Sequence, residues 1–263
     1  MRYSKSYIVR IQFLGFRFHG WQKQPNFKTV HDIVDKTLSF VFEHFKFKSH
    51  GVGRTDAKVS AMNYPLQLFT DKQIVFDAFI KKFNDNAPFD LKCLSIEPCS
   101  TKFNVINAAK IKTYHYYFSY ANKQNPMCAP IIISFLENLD IELMKKAAKL
   151  FEGTHYFRRY CSKPKENSIF VRTIDSCEIV ENNIITANFL PEKTYVLIVK
   201  GKGFLRYQIR IMMGVLVQIG NGTLDISYIE KTLDEHSDIN YIRYIAPTSG
   251  LQLFDVQFKE DLL

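Results

Sequence analysis

The sequence predicts an α+β fold arranged in two halves, with a boundary near residue 105. Stretches that alternate between apolar and polar residues, as strands do, are interspersed with amphipathic helical stretches. They do not follow the strict strand–helix–strand rhythm of a parallel α/β protein. The 263 residues, 46% of them hydrophobic, suffice for one or two domains with a sizeable core. We therefore expect an N-terminal α+β domain over 1–105 and a C-terminal one over 106–263.

The first half is expected to join an opening strand to a helix and a glycine loop. Thr29 is followed by Asp32 at the third helical position, which resembles a capping box and predicts the start of a helix. Apolar residues then recur with a helical period as far as Phe45. The predicted elements are a strand at 7–14, a loop at 18–26, a helix at 29–45, a glycine loop at 51–56, a strand at 65–70 and a helix at 73–84.

The second half is expected to contain a tyrosine-rich strand and two helices. Tyr114 and Tyr116 share one face of that strand, and His115 lies on the other face. The predicted elements are a strand at 110–120, a helix at 140–152 that Gly153 closes, strands at 172–180 and 195–201, a final helix at about 205–219 and a strand at 251–258.

The composition narrows the class of protein. A formal net charge of +9 and a pI of about 9.2 favour a polyanionic partner such as a nucleic acid. No apolar stretch is long enough to suggest a membrane span, and the start of the chain does not resemble a signal peptide. The five cysteines form no C-x-x-C pair, so we expect no zinc site, no disulfide framework and a cytoplasmic location.

The segment from Gly51 to Asp56, Gly-Val-Gly-Arg-Thr-Asp, is the first candidate site. It does not fit a dinucleotide fingerprint, because Asp56 stands where the third glycine should be. One interpretation is a turn with a surface ion pair between Arg54 and Asp56. The other is an acid held against a fixed cation, which suits a nucleophile or a catalytic base.

Three further segments carry basic and aromatic residues. The strand at 112–117 could stack bases and hold phosphates, or it could be a core strand, which we prefer for Tyr116. Arg206 and Arg210 are four residues apart, which predicts that they share one face of the last helix beside Gly214. Arg210 would need a carboxylate partner on this apolar helix, and Asp56 is a candidate. Arg172, at the start of a strand, is either solvated or functional.

An ordered set of motifs along almost the whole chain resembles the TruA family of tRNA pseudouridine synthases. Each motif is weak alone, but their order and approximate spacing match that family. The motifs are Gly20-Trp21-Gln22-Lys23-Gln24-Pro25-Asn26, Gly53-Arg54-Thr55-Asp56, Lys112-Thr113-Tyr114-His115-Tyr116, Gly153-Thr154-His155-Tyr156-Phe157, Arg172-Thr173-Ile174, Phe204 to Gly214 and Ala246-Pro247-Thr248-Ser249-Gly250-Leu251.

The resemblance implies a pseudouridine synthase fold, with two similar halves containing antiparallel sheets, ferredoxin-like or RRM-like, that flank a central basic cleft. It also implies an isomerase without a cofactor that acts on uridine in tRNA, in positions 38–40 of the anticodon stem-loop, as a homodimer. By resemblance, Asp56 is the nucleophile, Arg54 helps displace the target nucleotide, Tyr114 stacks on the flipped base and Arg210 pairs with Asp56. We assign Lys58, Arg206 and Arg172 to substrate binding, together with Tyr114.

The sequence departs from the family after the nucleophile. The family continues with a small residue, Gly, Val and His, whereas this chain continues with Ala57-Lys58-Val59-Ser60. Lys58 could add a phosphate contact or compensate for the lost histidine. Two alternatives therefore stay open: a catalytically impaired RNA-binding module or tRNA chaperone, and a pseudouridine synthase with a different RNA target. The sequence leaves open whether Asp56 attacks C6 of the base or C1′ of the ribose.

Overall fold

The structure, a computed structural model, describes residues 3–165, 167–239 and 241–258. These residues form two compact units. The first contains the described chain up to Lys112 together with the segment from Gln252 onward, and the second runs from Thr113 to Leu251. The outer limits of the predicted domains, residues 1 and 263, lie outside the described residues. The predicted division at 105 and 106 stays a hypothesis about domains.

Ten strands and five α-helices occur in the described chain. The strands are β1 (Lys5–Phe13), β2 (Phe47–Gly51), β3 (Ser60–Thr70), β4 (Leu91–Cys99), β5 (Ala109–Ser119), β6 (Ile133–Ser134), β7 (Gly153–Tyr156), β8 (Val171–Glu181), β9 (Tyr195–Gly201) and β10 (Leu251–Phe258). The helices are α1 (Val30–Val41), α2 (Phe76–Asn86), α3 (Ile141–Lys149), α4 (Gln208–Gly220) and α5 (Ser227–Leu233). The predicted α+β class is confirmed.

The first unit is built on the antiparallel pairs β4–β1, β1–β3 and β2–β3. The last strand, β10, joins the same sheet and runs parallel to β3, with Gln252 opposite Ser60. Ile8 and Val9 on β1 are fully buried although they point to opposite faces, so β1 is covered on both sides. Strand β10 pairs with β3 although the paired residues Ser60 and Gln252 are far apart in the chain, and it thus supports the strand that leads out of the glycine loop.

Helix α1 begins where the sequence predicts and ends earlier. The Thr29 side chain accepts a hydrogen bond from the Asp32 N–H, as in an N-cap. The helix ends at Val41, because Glu43 and His44 adopt positive φ angles of 54° and 65° that a right-handed helix does not allow. The expectation that Phe45 belongs to the buried stripe is wrong, since its side chain is 58% exposed.

The second unit contains the strand order β5–β9–β8–β7, with β6 parallel to β5. Strands β7, β8 and β9 pair antiparallel with one another. Helix α3 starts with Asp140 as its N-cap, whose carboxylate accepts the Leu143 N–H at 2.9 Å. It ends at Lys149, so Gly153 does not cap it; Gly153 has the positive φ expected of a cap, at 102°, but begins β7.

The last predicted helix differs at its start. Helix α4 begins at Gln208 because Tyr207 adopts a left-handed conformation with φ of 63°, which the helix cannot continue through. Arg206 therefore lies before the helix, and the prediction that it shares a helical face with Arg210 is wrong. The apolar side of α4 belongs to the core, with Met212, Met213 and Leu216 fully buried. Helix α5 and the strands β2, β4, β6 and β7 were not predicted.

Candidate active site

The loop that carries Asp56 connects β2 to β3 and is fixed by bonds to its own backbone. The Val52 N–H donates to the carbonyl of Pro65 at 3.1 Å, and the Tyr64 hydroxyl donates to the carbonyl of Gly53 at 2.5 Å. The Lys112 ammonium donates to the carbonyl of Val52 at 3.2 Å, and burial lowers the pKa of this lysine. Pro65, Tyr64 and Lys112 thus hold the backbone of Val52 and Gly53 at the start of the loop.

An aromatic stack lies under this loop. Trp21 is buried and stacks on Tyr64 with ring centroids 4.2 Å apart, and on His31 with centroids 5.0 Å apart. A Cβ on Gly51 would lie 2.1 Å from the Tyr64 hydroxyl and 2.5 Å from the Trp21 ring, so only glycine fits there. The first glycine of the motif is therefore required by the stack.

A chain of polar contacts supports the stack. His31 Nε2 lies 2.8 Å from Ser49 Oγ, Ser49 donates to Asp35 at 2.5 Å, and Asp35 pairs with Lys23 at 2.6 Å. Burial lowers the pKa of His31 more than the nearby Asp35 carboxylate raises it, so His31 is neutral at pH 7. A neutral imidazole can stack on the Trp21 indole without a charge to desolvate.

The residues next to Asp56 are clamped by the segment that contains Trp21. The Trp21 N–H donates to the carbonyl of Thr55 at 3.2 Å, and Gly20, with φ of 87°, approaches that carbonyl so closely that a Cβ would lie 2.5 Å from it. The Val59 N–H donates to the carbonyl of Asp56 at 3.2 Å. Asp56 is partly buried, whereas Arg54 is exposed. The loop thus presents a partly buried acid on a fixed backbone beside an exposed cation.

The threonine of the motif, Thr55, is held through its backbone carbonyl and not through its hydroxyl. Its hydroxyl, Thr55 Oγ1, is buried and has no hydrogen-bond partner among the residues that the structure describes. The backbone carbonyl of Thr55 is the group that makes the contacts with Gly20 and Trp21. A buried hydroxyl without a partner is uncommon in folded proteins.

Lys58 and Ser60, where the sequence departs from the family, both make hydrogen bonds that fix the chain after Asp56. Lys58 has a positive φ of 66°, a conformation in which glycine is favoured, and its N–H donates to the carbonyl of Phe18 at 2.9 Å. Its ammonium lies 5.5 Å from the centroid of the Phe16 ring and is otherwise exposed. Ser60 Oγ accepts the Gly15 N–H at 2.9 Å. The glycine that the family places at position 58 fits this backbone without strain.

Strand β5 separates into a buried part and a partly exposed one. Tyr116 is fully buried and donates its hydroxyl to the carbonyl of Pro247 at 2.7 Å, which confirms the core interpretation. His115 is 3% exposed, contacts the Tyr117 hydroxyl at 2.9 Å and has its pKa lowered to about 4 by burial and by Lys200. Tyr114 is partly buried and packs edge-on against Phe204, with ring centroids 5.3 Å apart.

Tyr207 lies between the two arginines at the start of α4. The guanidinium of Arg210 lies 4.6 Å from the centroid of the Tyr207 ring, and that of Arg206 lies 5.0 Å from the same centroid. Arg210 also donates its Nε–H to the carbonyl of Ala246 at 2.8 Å. The left-handed conformation of Tyr207, which sets the start of α4, thus places an aromatic face within reach of both guanidinium groups.

The small size of Gly214 allows a close backbone contact. A Cβ at this position would lie 2.7 Å from the carbonyl oxygen of Tyr244. The Ala246 N–H donates to the carbonyl of Arg210 at 3.1 Å, so the segment 244–246 lies along α4 beside Arg210. The segment that follows α5 therefore supplies the carbonyl that orients Arg210.

The predicted site residues divide between the two units. Arg54, Asp56 and Lys58 belong to the first unit, and the second unit contains the other four, Tyr114, Arg172, Arg206 and Arg210. Arg172 is partly buried, and its Nη1 donates to the carbonyl of Val171 at 2.8 Å. Their assigned roles stay predictions.

Four residues support the candidate groups although the sequence did not predict this role for them, namely Trp21, Tyr64, Lys112 and Tyr207. The position of Trp21 inside the first motif and of Tyr207 between two arginines was the available signal. Among the described residues, no group of three or more His, Cys, Asp or Glu side chains could hold a metal ion. All five cysteines are free thiols, and no described helix is long and apolar enough to cross a membrane.

Comparison with known proteins gives the same family as the order of the motifs. A family model described as tRNA pseudouridine synthase matches residues 147–259. The chain is 30% identical to the tRNA pseudouridine synthase A of Streptococcus pneumoniae (strain Taiwan19F-14) over 254 residues, which cover 97% of this chain and 99% of that protein. It is also 30% identical to the protein of the same name from Aquifex aeolicus (strain VF5) over 248 residues, 94% of this chain and 97% of that protein. The chain belongs to the tRNA pseudouridine synthase A family and is an RNA pseudouridine synthase, an isomerase.

Proposed function

We propose that this chain converts uridine to pseudouridine in tRNA, at positions 38–40 of the anticodon stem-loop, with Asp56 as the nucleophile. The reaction breaks the C1′–N1 bond and forms a C1′–C5 bond; C5 loses a proton and N1 gains one, so atoms and electrons balance without a cofactor. The observation that carries the proposal is the fixed backbone around Asp56 in a member of this family. A nucleophile held in place before substrate binds loses little entropy in the reaction.

The contacts of the loop support Asp56 in this role. Its neighbour Thr55 is held through its carbonyl by Trp21 and Gly20, and its own carbonyl accepts the Val59 N–H. Partial burial of Asp56 strengthens its interaction with a cation relative to water. We propose Arg210 as that cation. Attack at C6 of the base and attack at C1′ of the ribose both require this ionised carboxylate.

The remaining predicted residues fit the steps that bring uridine to Asp56. The target base must leave the helical stack, and the exposed Arg54 has the length and freedom to fill the gap that it leaves. Tyr114, whose ring is partly exposed, is proposed to stack on the flipped base. Lys58 and Arg206 are exposed and Arg172 is partly buried, which suits contacts to phosphates. We also propose that the protein acts in the cytoplasm as a homodimer.

The proposal is tested by mapping pseudouridine at single-nucleotide resolution after incubation with unmodified tRNA. We expect product at positions 38–40 with the native chain, and a loss of at least about 1,000-fold in rate with Asp56→Ala, because the nucleophile is removed. RNA affinity should persist in this variant. Asp77→Ala, which removes an exposed acid in the first turn of α2, is the matched control and should keep full activity.

One observation favours a second candidate function, an RNA-binding module or tRNA chaperone without turnover. Lys58 occupies a left-handed position two residues after the proposed nucleophile, where the family has glycine. A chain that binds tRNA but yields no pseudouridine on tRNA or on ribosomal RNA fragments would establish this function and overturn the isomerase. Product only on the ribosomal fragments would keep the isomerase and replace its substrate.

A further inference from the structure

An open groove of about 890 Å³ lies beside the N-terminal end of α1 in the first unit. One wall is the segment 23–28, and the other consists of Asp32, Ile33 and Lys36 on the first turns of the helix. None of the predicted site residues lines it. The groove is therefore a feature that the proposed chemistry at Asp56 does not use.

The wall formed by 23–28 is a closed and well-bonded loop. The His19 N–H donates to the carbonyl of Lys28 at 2.8 Å, and the Gln24 side-chain amide donates to the carbonyl of His19 at 3.1 Å. The His31 N–H then donates to the carbonyl of Trp21 at 3.0 Å, which ties the loop to α1. These bonds fix the shape of the groove before any ligand binds, which lowers the entropic cost of binding.

The groove is basic. It is lined by three lysines, Lys23, Lys28 and Lys36, and one acid, Asp32. Lys36 pairs with Asp32 at 2.8 Å, and Lys23 pairs with Asp35 at 2.6 Å. Within the described part of the chain, no carboxylate lies within 4 Å of the Lys28 ammonium. Lys28 thus offers an uncompensated charge to an anion, and the paired lysines keep spare donors for it.

An exposed aromatic ring lies among these charges. Phe27 is 50% exposed although it is a large apolar residue, and its ring is held against that of His19 with centroids 4.6 Å apart. A phenyl ring fixed on one side and open on the other can stack on a nucleobase. Ammonium groups around such a ring match the two chemical parts of RNA, the phosphate and the base.

The groove is connected to the Asp56 loop by the chain itself and by a series of polar contacts. Gly20 and Trp21 are separated from the wall 23–28 by one residue, Gln22, and they are the residues that clamp the Thr55 carbonyl. Lys23 ends the polar chain that supports the stack through Asp35, Ser49 and His31. A strand of RNA held in the groove would therefore be fixed relative to the loop that carries Asp56.

We propose that this groove binds the substrate RNA away from the reacting nucleotide, with a phosphate on Lys28 and an unpaired base stacked on Phe27. The proposal rests on the proposed function for its substrate. The groove contributes to affinity and not to the chemical step, because none of its residues touches the reacting atoms. A change in the groove should therefore raise KM and leave kcat as it is.

The experiment compares Lys28→Glu and Phe27→Ala with Lys92→Glu, a charge reversal at an exposed lysine on β4 of the same unit that lines no part of the groove. With unmodified tRNA, we expect KM to rise about 10-fold for Lys28→Glu and about 5-fold for Phe27→Ala, with kcat unchanged. The salt dependence of tRNA affinity should weaken by about one unit of slope in Lys28→Glu. Equal melting temperatures for the three variants would show that they fold alike.

Direct binding separates this inference from the proposed function. Affinity for tRNA is also measured in the Asp56→Ala background, where no turnover is needed. The absence of pseudouridine in the native chain would overturn the proposed function and leave the groove to be judged by affinity alone. If Lys28→Glu and Phe27→Ala match Lys92→Glu in KM, affinity and salt slope, the groove does not bind RNA. A changed oligomeric state with unchanged RNA affinity would assign it to a protein contact and equally overturn the proposal.

Discussion

The two candidate reactive groups are held by opposite means. Asp56 lies in a loop that is fixed through backbone groups: the carbonyls of Val52, Gly53, Thr55 and Asp56 all accept hydrogen bonds. Arg210 lies in the first turn of α4, and its side chain is oriented by the Tyr207 ring and by the Ala246 carbonyl. Asp56 is therefore positioned by hydrogen bonds to the backbone of its loop. Arg210 is positioned by the contacts of its guanidinium group.

This difference predicts which substitutions should disturb each group. The loop should respond to changes at its glycines, because an added Cβ displaces a backbone that several bonds hold in place. The arginine should respond to changes in neighbouring side chains and tolerate small shifts of backbone. Three variants test the comparison.

The largest effect is expected from Gly20→Ala. The new Cβ would lie 2.5 Å from the Thr55 carbonyl oxygen, and alanine would have to adopt the φ of 87° that glycine has here. We expect a loss of about 2–4 kcal/mol in the free energy of unfolding, measured by urea denaturation. Gly203→Ala is the control, since its Cβ would have no atom within 4 Å, and it should change stability little. Equal losses in the two variants would contradict the clamp on the Asp56 loop.

An intermediate effect is expected from Tyr207→Leu. Leucine removes the aromatic face that Arg206 and Arg210 share, and we expect kcat/KM for tRNA to fall about 5- to 10-fold, because both cation–π contacts are lost. Tyr207→Phe keeps the ring and should retain activity. The two variants should have the same free energy of unfolding, because leucine and phenylalanine would both adopt the left-handed conformation of position 207. Full activity in Tyr207→Leu would show that the ring does not orient Arg210.

The smallest effect, and the only stabilising one, is expected from Lys58→Gly. Relief of the strain of the left-handed conformation, with φ of 66°, should raise the free energy of unfolding by about 1–2 kcal/mol. The greater conformational freedom of glycine in the unfolded chain offsets part of this gain. We expect a net gain of about 0.5–1 kcal/mol in thermal or urea unfolding. Lys58→Ala removes the same charge but keeps the strain, so it should not be stabilised. A stabilisation common to both variants would point to charge and not to backbone conformation.

Much of the fold was readable from local pattern. The last strand was predicted over 251–258, where it lies, and Thr29 caps α1 as the capping-box pattern indicates. The apolar stripe of α4 is core, and the family followed from the order of short motifs. These features depend on residues close together in the chain, so periodicity and spacing were sufficient to find them.

The sequence by itself thus determined the fold class, the family and the residues that are candidates for chemistry. Only the tertiary structure decided how they are held. It placed Arg206 before α4, gave Lys58 and Tyr207 positive φ angles, and brought Trp21, Tyr64 and Lys112 to the loop of Asp56. The physical reason is that these arrangements arise from packing and hydrogen bonds between residues far apart in the chain, which no local pattern encodes.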